Sequence, residues 1–344
     1  MRDAYWIWPA VFLTIAVAAV ALSIYPHPTS LLASLRIWPA WMAGTIGFLM
    51  LPVLVKTLRL MAAGEDSPTK KILEWVDWTL VRRILIAMGI AGLNKIVFIW
   101  LKPGLNVHVP FTADPLLASI DNALFLGNDP WIFLQWANNG ASEFIYHPVW
   151  YALMICALIL AASAPPSPKK TAIMLTYFLC WSVVGPVIHC LLPAGGPIFY
   201  EALGYGDRFA ANLGTEEANY TRDYLWRGFS DGQFLAASGI SAMPSLHVTI
   251  ATWTVLCVHQ FRPKWTPYVA VMCGYIVILS VSLGWHYVVD GIVGGSVAAL
   301  LFYGLRSALD FTGKPVSTGV ELDPRRHVFN AVQALPQEKD GHQA

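Results

Sequence analysis

Apolar residues run along this chain in stretches long enough to cross a bilayer, broken by polar connections. Runs near the ~18–20 residues that a helix needs to span the hydrocarbon layer fall at roughly 6–25, 38–55, 84–101, 144–163, 171–192, 244–260, 267–284 and 287–305. Only helices and closed barrels satisfy their backbone groups in lipid. The pattern therefore predicts an all-α polytopic membrane helical bundle of about eight transmembrane helices. The first run contains Ala18-Ala19-Val20-Ala21, small residues of the kind found at signal-peptide cleavage sites. Its length, and a leading region whose only basic residue is Arg2, favour an uncleaved span. Residues 1–83 read as two spans and a linker, 84–310 as a six-helix core, and 311–344 as a polar, largely disordered tail.

The connections fall into two kinds. Short polar turns at 64–68, 165–170 and 262–264 carry Pro, Gly and Lys or Arg. Two long segments, 102–143 and 193–243, have the length of functional loops. With the N-terminus inside and sides alternating, sixteen lysines and arginines fall on the inner side and five on the outer, with Lys95 inside the third span. The positive-inside rule then predicts cytoplasmic termini, including the tail, and puts both long loops on the outer face. In 102–143, Asp121, Asn122, Asn128 and Asp129 are interleaved with apolar residues, which predicts an interfacial helix with Trp131 and Trp136 at headgroup depth.

Composition agrees and excludes little more. The chain is 56% hydrophobic and 12% charged, with a net charge of +1 and no basic patterning for nucleic acid. Five cysteines, Cys156, Cys180, Cys190, Cys257 and Cys273, lie in apolar runs without C-x-x-C spacing, as small core hydrophobes do.

The candidate chemistry sits at outer span ends. Pro244-Ser245-Leu246-His247 opens the sixth span, and Ser282-Leu283-Gly284-Trp285-His286 forms the turn before the eighth. Asp290 follows His286 by four residues, so the two share a helix face. Helix starts present unpaired N–H groups and a positive dipole end, which suits an anionic phosphoester. Pro244 tolerates a first-turn position, and Ser245 adds a hydroxyl donor. On this reading His286, oriented and tautomer-fixed by Asp290, is a nucleophile and His247 an acid and base. Tyr146-His147-Pro148 opens the fourth span on the same side; a satisfied boundary histidine is the expected role, with a place in the site lining as the alternative.

These residues carry a family resemblance. Pro244-Ser245-Leu246-His247 resembles the Pro-Ser-x-His motif of the type-2 phosphatidic acid phosphatase superfamily, and His286-Tyr287-Val288-Val289-Asp290 resembles the H-x-x-x-D end of its last motif. Met243 before Pro-Ser, the His-Tyr-x-x-Asp form and Gly195-Gly196-Pro197-Ile198-Phe199-Tyr200-Glu201 resemble the inositol phosphorylceramide synthase branch and its bacterial relatives. Lys95 to Pro103 resembles the first motif, K-x6-R-P, with Lys102 in place of arginine. The resemblance covers about 84–310 and implies a six-helix phosphatase-like core, a phosphohistidine on His286 and His247 as acid then base. One departure stands out: where the last motif begins Ser-Arg, this chain has Leu279-Ser280. Either another arginine substitutes, or backbone and lysine hold the phosphate. Lys95, Lys102, Ser245, Gly196, Tyr200 and Arg227 are the candidate substrate-binding residues.

The expected function is an integral-membrane lipid phosphotransferase, in a bacterial inner membrane with its site on the periplasmic face. It would take a membrane phospholipid or polyprenyl phosphate as donor and a lipid hydroxyl as acceptor, with no metal or other cofactor. Hydrolysis of phosphatidic acid or of a polyprenyl pyrophosphate is the alternative. A transporter with a His247/His286/Asp290 proton relay is a weaker reading, because these residues sit at span ends. A metal site is weaker too, because no second carboxylate or cysteine joins the two histidines.

Overall fold

A computed structural model describes residues 3–25, 28–212, 214–232, 235 and 237–312, and the predicted tail from 313 onward lies outside them. Among the described residues there is no β-strand. The helices that position the site are α1 (Ala4–Ile24), α2 (Ile37–Ala62), α3 (Trp78–His108), α4 (Asp114–Leu124), α5 (Trp150–Ser163), α6 (Pro168–Leu179), α7 (Gly185–Leu191), α8 (Glu216–Ser230), α9 (Leu246–Phe261), α10 (Thr266–Ser282) and α11 (Val288–Thr312). Several starts are written in local sequence. Asp77 accepts from Thr79 N and Leu80 N at the start of α3, Ser167 from Lys170 N at α6, and Thr215 from Ala218 N at α8.

Among the described residues, seven helical segments are long and apolar enough to cross a membrane: Ala4–Ile24, Leu31–Ala62, Trp78–His108, Ser142–Ser163, Pro168–Leu191, Pro263–Ser282 and Val288–Phe311. They coincide with seven of the predicted runs. The remaining run is α9, whose 16 residues make about 24 Å of helix. It packs against α5, α6, α10 and α11 and lies at the centre of the bundle. Enclosed by protein, it has no lipid thickness to match.

Small residues let α11 approach α9. A Cβ added at Gly294 would meet Thr249 Oγ1 and would lie 2.9 Å from the Ser245 carbonyl oxygen; Gly291 and Gly295 face Val248 and Thr252. This small-residue stripe brings the two helix starts that carry the histidines together. Gly294→Val should overpack the contact and destabilise the bundle by about 1–3 kcal/mol. Thermal unfolding in detergent checks it, with Gly274→Ala as control because nothing lies within 4 Å of a Cβ there.

At the opposite end of the bundle the buried Lys170 ammonium lies 2.9 Å from Asp3 Oδ1 and donates to the Ala162 and Ala164 carbonyls. This ties α1 to the α5–α6 turn and keeps the charge paired.

Candidate active site

Three carboxylates, two from the distant helix α4 and one from α11 itself, hold the turn that carries His286. Asp121 on α4 accepts from Val288 N at 2.7 Å and Val289 N at 3.0 Å, capping the start of α11 from across the structure. Asp114 accepts from the Tyr287 hydroxyl at 2.9 Å and from Gly195 N and Gly196 N, each at 2.8 Å. Asp290 accepts from Tyr287 N at 2.8 Å. All three are buried. Burial raises the Asp114 carboxyl against the pull of these donors. It likewise pushes Asp121 up to about 6, so Asp121 is mainly ionised at neutral pH and caps the helix as an anion.

The His286 ring is oriented chiefly by the main chain. Its Nδ1 lies 2.8 Å from the Ala242 carbonyl and 3.5 Å from Asp290 Oδ2. A carbonyl can only accept, so Nδ1 carries the proton and Nε2 keeps a lone pair. Asp290, expected to orient this ring, is the farther partner of Nδ1, and its Oδ2 is shared with the Tyr287 amide.

Ser245 N-caps α9, its hydroxyl oxygen accepting from Val248 N at 3.4 Å, and its own N–H donates to the Asp290 carbonyl. Ser245 is fully buried, so the hydroxyl serves the helix start. His247 lies between the rings of Tyr146, at 4.3 Å, and Trp150, at 4.2 Å. The Trp150 indole N–H donates to the His247 carbonyl at 3.0 Å. The ring centres of His247 and His286 are 6.3 Å apart.

Both histidines line one cavity of about 170 Å3, together with Lys102, His147, Trp181, Trp285 and, from α8, Thr221 and Leu225. That is smaller than the roughly 300–1,000 Å3 of a site that encloses a drug-sized ligand. Lys102 is the only lysine or arginine among its lining residues, and no described carboxylate lies within ion-pair distance of it. Among the described residues no arginine lines this cavity; its lysine is Lys102, and Leu246 and His247 bring the start of α9 to the same lining. The start of α11, expected to be a second anion site, is filled by Asp121.

Four predicted binding residues are placed elsewhere. The Lys95 ammonium points into a cage of Tyr151, Trp181, Trp150 and Trp41, at 4.1, 5.3, 5.4 and 5.8 Å from the ring centres, and does not line the cavity. Cation–π attraction holds it there. The Gly196 N–H is taken by Asp114, and a Cβ at this positive-φ position would collide with the Trp285 carbonyl. Gly196 thus serves close approach of two loops. Tyr200 is buried against Tyr205 and Phe209. Arg227 is exposed on α8 and contacts the Asp223 carbonyl of its own helix. The other outer-loop arginines are also engaged: Arg208 pairs bidentately with Asp129, and Arg222 with Asp223 and Asn219. Of the predicted interfacial tryptophans, Trp136 is exposed whereas Trp131 is buried against the site's supporting loops.

Sequence reasoning missed Asp114, Asn106 and Glu143. Asn106 donates to the Ile240 carbonyl and accepts from its N–H, pinning the segment before Pro244 to α3. It also missed two π-helical turns, Ile145–Val149 and Cys180–Val184, which turn Tyr146, His147 and Trp181 toward the cavity. Pro148 was the available signal for the first.

A family model described as the PAP2 superfamily matches residues 116–304, more than half of the chain. No curated protein and no solved structure matches.

Proposed function

This chain belongs to the PAP2 superfamily, and we propose from that premise that it is a membrane enzyme transferring a phospho-headgroup from a lipid donor to a lipid hydroxyl through a phosphohistidine on His286. The observation that carries the reading is the 2.8 Å contact of His286 Nδ1 with the Ala242 carbonyl. Nδ1–H on the Ala242 carbonyl leaves Nε2 as the nucleophilic nitrogen, with His247 across the same cavity.

Mechanism follows in two displacements. The donor phosphate binds beside Lys102 and the N–H groups at the start of α9. His286 Nε2 attacks phosphorus, an N–P bond forms, and the P–O bond to the lipid alcohol breaks while His247 gives that oxygen a proton. An acceptor hydroxyl then loses its proton to His247 and attacks phosphorus. The N–P bond breaks, and both histidines return to their starting states.

Transfer is favoured over hydrolysis because α8 adds Thr221 and Leu225 to the lining, where Phe199 stacks on Trp226, and apolar surroundings of this kind limit water. The test is a headgroup-labelled phospholipid in mixed micelles with and without ceramide or diacylglycerol. Label should move to the acceptor faster than it is released. Release dominating with every acceptor would leave a lipid phosphatase.

The charge distribution along the sequence supports a site on the outer face. Tyr220 on α8 is exposed, so Tyr220→Cys should react with an impermeant thiol reagent in intact cells. Labelling only after the membrane is breached would reverse the orientation.

A further inference from the structure

We propose that Glu143 and His147 form a carboxylate-backed pair that positions His247, the acid of the reaction proposed above, on which this inference rests. Among the described residues no carboxylate lies within ion-pair distance of His247. Its surroundings are the rings of Tyr146 and Trp150. Tyr146 stacks on the imidazole, Trp150 lies tilted against it, and two other histidines stand nearby. His286 lies 6.3 Å away, a gap that leaves room for a phosphoryl group, and His147 lies at 5.3 Å with its plane turned by 69°.

Behind His147 stands Glu143, its Oε2 3.1 Å from His147 Nε2. That is ion-pair distance, although the nitrogen is not aligned for a hydrogen bond and finds no other partner. Glu143 is itself held by the Trp285 indole N–H, from the turn that carries His286. The glutamate side chain is 11% exposed and the histidine 40%. The groups facing His147 are therefore Glu143 and Tyr146 from its own segment, His247 from α9 and Trp285 from the His286 turn. Lys102 supplies the remaining charge in the cavity. Glu143 thus fixes the place of His147, and His147 meets the His247 ring in a T-shaped contact, so the carboxylate acts on His247 through packing. Because His147 acts through His247, it is a positioning residue.

The test uses the full-length protein in detergent with two donors: a phospholipid, whose leaving alcohol needs a proton, and its counterpart with nitrophenol as leaving group. His147→Ala should lower phospholipid turnover by about 10–100-fold, a modest fraction of a triad member's effect, with a much smaller loss for the nitrophenyl donor. Glu143→Gln, which keeps the volume, should move in the same direction by less. In a His247→Ala background, adding His147→Ala should change phospholipid turnover by less than about twofold, because the coupled partner is already gone. Equal losses with both donors, equal losses in both backgrounds, or no loss in either variant would overturn the proposal. If His247→Ala itself shows no dependence on the leaving group, the reaction assigned to His247 fails instead.

Discussion

Replacing His286 by alanine should lower kcat by about 10^4-fold or more, the scale of losing a covalent nucleophile, while the protein still inserts and unfolds normally. The structural reason is that His286 bonds chiefly to the Ala242 carbonyl, and the turn around it is held by groups that do not need the ring. Asp121 caps α11, Asp114 holds the Tyr287 hydroxyl and Asp290 the Tyr287 amide. Activity should therefore fall without a matching fall in Tm. Asp290→Asn should be milder than a triad aspartate would suggest, since the nearer partner of Nδ1 is a backbone carbonyl at 2.8 Å.

His247→Ala should have the second-largest effect, and it should depend on the donor. General acid catalysis contributes about 10^2–10^4-fold, so turnover of alkyl lipid donors should fall by that factor. A nitrophenyl donor, whose leaving group needs little protonation, should lose far less. Comparing kcat for the two donors in wild type and variant reads the difference directly. A uniform loss would mean that His247 shapes the cavity between Tyr146 and Trp150 without moving a proton.

The bundle was legible in the sequence because apolar runs near bilayer length leave few alternatives. Even there α9 is instructive: a 16-residue helix surrounded by protein has the composition of a span without its length. At the site, what could be read was what local spacing encodes. His247 follows a Pro-Ser helix start, His286 and Asp290 are one turn apart, and Lys102 sits at a span end. Lys95 was misplaced because cation–π partners come from three other segments, with Trp41, Trp150, Tyr151 and Trp181 surrounding it. Gly196 was a substrate-binding candidate, yet its N–H meets Asp114, 82 residues away in sequence. Asp121 reaches Val288 across 167 residues, and no periodicity records such a pairing. The glycines after Asp290 were a readable signal for close helix packing. Their partner, α9, was not readable from spacing alone.

The most direct test of the central claim is to trap the covalent intermediate. The full-length protein is mixed with labelled donor in the absence of acceptor, quenched under alkaline conditions and digested, and the phosphorylated residue is mapped by mass spectrometry. The account predicts an acid-labile, N–P-linked adduct on His286 that disappears on adding a lipid alcohol, with the label recovered in the product. An adduct on another residue, or turnover at wild-type rates in His286→Ala, would contradict it.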